Sequence, residues 1–261
     1  MRRLSVLARR PITLAAMLAT AACAAPSGPA RPPPRPVVKA ADLPPLGPCP
    51  TSGWRPEAPP PTASEKVSMV LLAVGEWARF GRQTLVYSTD TPPRTEIAGL
   101  KERDAPQRIR DYWASVGHPQ RTGADDIPWS AAFISWDIAS AGVPRSQFCP
   151  DQRHTIYVER LVERARHPGA ALVPRRPEER APKVGDIVCV SRDGSDTTLD
   201  NLNRGAGHCD LVVEVKPGWL AAIGGNVEDS VSRKVFPLDE NGFLTPLSGR
   251  PVFTVIENRL P

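Results

Sequence analysis

From residue 62 onward the apolar positions recur first every three to four residues and later every second residue. TASEKVSMVLLAVGEWARFG predicts a first helix, opened by a Thr62/Glu65 capping box. Its stripe of Val67, Val70, Leu71, Val74 and Trp77 is expected to face the core. DAPQRIRDYWASVG predicts a second helix, capped by Asp104, with Ile109, Tyr112, Trp113 and Val116 on one face and Gly117 as its stop. A third runs from about Pro128 to Ala141 and is apolar nearly all round, which marks it as a buried central helix ended by Gly142 and Pro144. A fourth follows Asp151 through Tyr157, Leu161, Val162 and Ala165. The period then changes. GDIVCVS, HCDLVVEV, WLAAIGG, SVSRKVFPL and VFTVIEN are short β-branched runs broken by Gly, Pro and Asp, and KPG between two of them is a hairpin turn. Helices followed by an antiparallel sheet make an α+β fold, in one domain over residues 62–261.

Residues 1–22 have the pattern of an export leader: Arg2, Arg3, Arg9 and Arg10 precede ITLAAMLATAA, an apolar run too short to span a bilayer. The leader ends in TAAC, similar to a bacterial lipobox, so Cys23 is the expected lipidation site, with plain cleavage near Ala22 or Ala24 as the alternative. Residues 23–61 are Pro-rich without an apolar period and read as an extended tether. The domain is thus expected at the periplasmic face of the envelope, held by a lipid anchor. The net charge is +5, but four of those charges are leader arginines and the leader carries no acid, which leaves a mature chain near +1. A nucleic-acid partner is therefore not expected.

Four stretches carry a resemblance: PWSAAFISWDIASAGV, PKVGDIVCVSR, GHCDLVVEV and LAAIGGNVEDSVSRKVFPL, in that order over about residues 120–240. They resemble the CHAP family of papain-like cysteine amidases and peptidases, and more narrowly an uncharacterised branch found on exported bacterial lipoproteins. The resemblance implies a nucleophile at the start of a helix packed on a small antiparallel sheet. It puts Ser130 where the cysteine nucleophile stands, His208 at the base, Asn226 at the residue that orients the base, and Asp186 at a structural strand-opening position. It also pairs the strands holding Cys189 and Cys209, which makes these two a disulfide candidate and leaves Cys49 to pin the tether through Cys149. By count alone, the four cysteines after Cys23 allow three pairings.

Serine changes the chemistry. A thiolate is favoured by a helix N-terminus, whereas a hydroxyl needs a true general base at about 2.6–3.2 Å. Asp210, two residues from His208 on one strand, shares its face and is expected either to polarise it or to bind a cationic substrate group. His154 opens the helix after the central one and, with Trp129, is a candidate substrate contact. The long polar stretch 191–207, which feeds into His208, is expected to shape the substrate site. Each residue also has a plain reading: Ser130 as a helix-start donor partner, His208 as a structural histidine, Asn226 as a turn residue tolerating positive φ. No cofactor is expected. A metal site from Cys189, His208, Cys209 and Asp210 is disfavoured because adjacent strand residues point to opposite faces. Two functions follow: a serine-variant amidase or peptidase acting on peptidoglycan peptide or another envelope amide, or a catalytically silent relative binding wall peptide or an envelope protein.

Overall fold

The computed structural model describes residues 44–50, 53–54, 63–192, 197–247 and 250–261, all within a unit spanning Val37–Pro261. The leader, Cys23 and most of the tether lie outside the described residues, as does Thr62.

Four α-helices are described: α1 (Glu65–Arg79), α2 (Pro106–Ser115), α3 (Ser130–Ser140) and α4 (His154–Ala165). Ser64 caps α1, its hydroxyl accepting from Val67 N at 3.4 Å. The helix does not bury the expected stripe. Ser68, Met69, Ala73 and Glu76 face inward, while Val67, Leu71 and Val74 are exposed. The cause is a polar anchor. Glu76 accepts from Arg108 at 2.7 and 2.8 Å and from the Tyr112 hydroxyl, both on α2, and a carboxylate so paired must turn inward. Asp104 does not cap α2. It accepts from Lys101 N at 2.7 Å and closes the short 3-10 turn Glu102–Asp104 instead, leaving Ala105 at the N-cap. α3 is buried on almost every side, as its composition predicts.

The eight strands are β1 (Thr84–Val86), β2 (Arg94–Ile97), β3 (Leu172–Arg175), β4 (Ile187–Ser191), β5 (Gly207–Lys216), β6 (Trp219–Val227), β7 (Ser230–Pro237) and β8 (Val252–Asn258). They form one sheet in the order β2-β1-β7-β6-β5-β4-β8-β3. The fold is α+β. The sheet is larger than expected and mixed rather than antiparallel, because β1 runs parallel to β7. β1, β2 and β3 escaped the sequence reading: they are three or four residues long, and β2 is polar and exposed throughout. β5 and β6 turn at Lys216–Trp219, with Gly218 at φ +82°.

The sheet has a core on each face. On the helix side Ile187, Cys189, Cys209, Leu211 and Ile223 pack with Phe133 and Ile134 of α3. On the other side Val188, Val212, Leu220, Ala222 and Phe236 pack with Leu85 and Tyr87. Cys189 and Cys209 are register partners on β4 and β5 and form a disulfide. A second disulfide, Cys49–Cys149, holds residues 44–50 against the domain. Arg145, Arg160 and Arg204 reinforce it by donating to the carbonyls of Pro50, Gly47 and Pro44.

Candidate active site

Two helix starts meet at one histidine. Ser130 is the first residue of α3, and His154 is the first residue of α4. Ser130 Oγ lies 2.8 Å from His154 Nε2, and His154 Nδ1 lies 2.6 Å from the hydroxyl of Tyr157, one turn further along α4. The two contacts are linked through the tautomer. When Ser130 donates to Nε2, Nδ1 carries the proton and donates to the Tyr157 oxygen. That is the form in which the ring can accept the serine proton. Burial, and then the neighbouring His208, hold the His154 pKa well below its ordinary value, so the ring is neutral. The positive ends of both helix dipoles act in the same direction. Burial also raises the Tyr157 phenol, which stays protonated. In α3 the hydrogen-bond ladder opens with Phe133 N donating to Trp129 O, so the amides of residues 130–132, in the first turn, have no acceptor within the helix.

His208 is not the partner of Ser130. Alternation along β5 sends Cys209 and Leu211 into the helix-side core and His208 and Asp210 to the other face. There His208 Nε2 meets Asp210 Oδ1 at 3.1 Å, the pairing expected of these two residues. The second carboxylate oxygen, Oδ2, lies 2.5 Å from Nζ of Lys234 on β7. His208 nevertheless remains near His154, with ring centroids 5.6 Å apart. Burial and the Lys234 ammonium lower His208 to about 4, against the pull of Asp210. For Asp210, burial acts to raise the pKa, but Lys234 and then His208 overcome it and hold the carboxyl ionised.

Asn226 does not orient a histidine. It sits at φ +55° in the bulge between Gly224 and Val227, and its Nδ2 donates to Glu102 Oε2 at 3.4 Å. Trp129, the other candidate substrate contact, packs beside Asn226 on the same carboxylate. It is buried, stacks on Tyr112 and donates to the same Glu102 oxygen at 2.6 Å. Asp186 is structural: Arg180, Lys183 N and Asn258 N all donate to it. Of the polar stretch 191–207, residues 193–196 lie outside the described residues. The remainder lies against α4, with Thr155 donating to Gly205 O at 3.0 Å and Arg204 bridging Glu159 at 2.9 Å. It therefore packs on the helix that carries His154.

The sequence reading missed Tyr157 as a partner and Lys234 altogether. Each had a signal. His154 and Tyr157 are spaced i, i+3 on a helix, and Lys234 shares strand parity with the apolar Phe236. Among the described residues no group of three His, Cys, Asp or Glu is placed to hold a metal ion.

The comparison with curated proteins finds no match, and neither does the comparison with solved structures. One family model, described as an uncharacterized protein conserved in bacteria (DUF2272), matches residues 103–257, a span that includes Ser130, His154, Tyr157, His208, Asp210 and Lys234. That is more than half of the chain, and the chain belongs to this family.

Proposed function

We propose that the chain is an envelope amide hydrolase of CHAP-like, papain-like arrangement, with Ser130 as nucleophile and His154, rather than His208, as general base. The observation that carries this reading is the contact of Ser130 Oγ with His154 Nε2 at 2.8 Å, with Tyr157 holding the far side of the ring. Ser130 Oγ attacks an amide carbonyl while its proton passes to His154 Nε2. The α3 amides stabilise the oxyanion. His154 then protonates the leaving amine, and water attacks the acyl-serine with His154 again as base. The substrate class is peptidoglycan peptide or another envelope amide, on the strength of the export leader, the expected lipid anchor at Cys23 and two disulfides.

A second reading has its own observation. Ser130 and His154 are 3 % and 4 % exposed, and two surface cavities among the described residues, of about 350 and 590 Å³, are lined by neither. A closed site of this kind fits a silent module that binds wall peptide or an envelope protein through another surface. Treating the full oxidised chain with a fluorophosphonate separates the two readings. Hydrolysis predicts an adduct on Ser130 that is lost in His154→Ala. A Ser130→Cys variant whose thiol titrates below about 8.5 in a His154-dependent way, beside an inert native serine, selects the silent module. An unshifted thiol with an inert serine rejects the site itself.

A further inference from the structure

Lys234 is 1 % exposed, and a buried ammonium requires a counter-charge. Asp210, itself fully buried, supplies it through Oδ2 and meets His208 through Oδ1. Gly224 on the neighbouring strand leaves room for this arrangement, since a Cβ there would stand 2.0 Å from Asp210 Oδ1. Nζ lies under Tyr87 and Phe236, at 5.8 and 5.4 Å from their ring centroids, so the ammonium is roofed by π faces. One carboxylate thus faces two groups able to carry positive charge, lysine and histidine. Lysine is the stronger base by about 4 units, so it takes the charge and the histidine stays neutral. Nε2–H of His208 then donates to Asp210, and Nδ1 is left as a lone-pair acceptor. Among the described residues that atom is buried without a hydrogen-bond partner.

We propose that Lys234 is a positioning residue for the Ser130–His154 site: by neutralising Asp210 it keeps His208 uncharged, so that no imidazolium stands beside the ring that must accept the serine proton. Its catalytic meaning rests on the Ser130–His154 reading; the charge assignment does not. The charged and titratable groups around the pair are Asp210 on β5, His154 and Tyr157 on α4 with Asp151 acting on the latter, Lys234 on β7, Tyr87 over the Lys234 ammonium, and Arg192 and Arg250. Both arginines add to the positive side, so Asp210 is the charge that would draw a proton to His208 if the lysine were absent.

The test is long-range ¹H–¹⁵N NMR of the full chain with ¹⁵N-labelled histidine, the four histidines being assigned by single His→Gln variants. In the parent, His208 should be a neutral Nε2–H tautomer at pH 7 and titrate near 4. In Lys234→Met the unbalanced Asp210 should draw a proton onto His208 and move its midpoint up by about 2 units or more. In Lys234→Met/Asp210→Asn, with both charges gone, the midpoint should fall back, a restoration that a merely structural role for Lys234 does not predict. A parent His208 charged at pH 7, or a midpoint unmoved by Lys234→Met, overturns the proposal. If Lys234→Met does not fold, the parent titration and the double variant decide, and a double-variant midpoint above the ordinary 6.5 overturns it. Fluorophosphonate labelling of Ser130 reads the catalytic consequence. In Lys234→Met it should slow about tenfold or more below the new His208 midpoint and recover above it. A Ser130 unreactive in every variant sinks the hydrolase reading alone, because the NMR titration still decides the charge assignment.

Discussion

A single methyl group at Gly225 tests whether α3 is seated on β6 as closely as the site requires. A Cβ there would stand 2.5 Å from Phe133 Cβ and 2.5 Å from Trp129 Cζ3. Carbon atoms pack at about 3.5–4.0 Å, so helix and strand must part by about 1 Å or more. Phe133 Cβ is fixed to the helix backbone and Trp129 is locked by Glu102, so neither can step aside by changing rotamer. Overpacking of this kind costs about 1–3 kcal/mol, and the rigid partners put Gly225→Ala toward the upper end. The same shift carries Ser130, next to Trp129, out of its 2.8 Å contact with His154. Gly75→Ala is the matched control. It lies in the middle of α1 with nothing within 4 Å of its Cβ, and Gly→Ala in a helix interior stabilises by about 0.5–1 kcal/mol. Urea unfolding of the oxidised chain followed by tryptophan fluorescence, with the m-value compared between variants, measures both. The two substitutions should move the midpoint in opposite directions. A Gly225→Ala protein within 0.5 kcal/mol of the parent, on the scale of about ±0.5 kcal/mol for neutral surface changes, refutes the close seating of α3.

Three further outcomes are expected. Between pH 6.5 and 4 the unfolded chain binds a proton at His208 that the folded chain does not, so acidification through this window should remove about 3 kcal/mol of stability; because burial raises Asp137 and Glu102, which act in the opposite sense, the measurement is the difference in pH slope between the parent and His208→Gln, and equal slopes count against the assignment. Tyr157→Phe leaves His154 Nδ1 buried without its partner and should cost about 1–3 kcal/mol while slowing Ser130 labelling about tenfold, whereas unchanged labelling means that Tyr157 does not set the tautomer. Arg108→Leu leaves the buried Glu76 carboxylate with the Tyr112 hydroxyl and the more exposed Arg79 at 3.2 Å, and should destabilise by about 1.5–3 kcal/mol, with Glu76→Leu/Arg108→Leu closer to the parent; equal losses in single and double variants show that the pair is not what turns α1 inward.

What the chain determines locally is read well from local pattern. The helix spacing places α1 to α4, and continuous apolar character marks α3 as central because such a helix has no face to give to water. The period-2 runs give β4 to β8, and alternation alone puts His208 beside Asp210. The opposition of Cys189 and Cys209 follows once β4 and β5 are paired. Tertiary structure decides the rest, because it depends on groups far apart in sequence. Which side of α1 turns inward is set by Arg108 and Tyr112, more than thirty residues downstream of Glu76, and a buried carboxylate outweighs the apolar stripe of Val67, Leu71 and Val74. The partner of Ser130 is fixed by the meeting of two helix starts, α3 and α4, 24 residues apart along the chain. The charge state of His208 is set by its burial and by a lysine two strands away, neither of which local spacing encodes. Period and alternation are properties of neighbouring residues, whereas the charge and hydrogen-bond partners of a buried group depend on what the fold brings against it, and at this site that is His154, Tyr157 and Lys234.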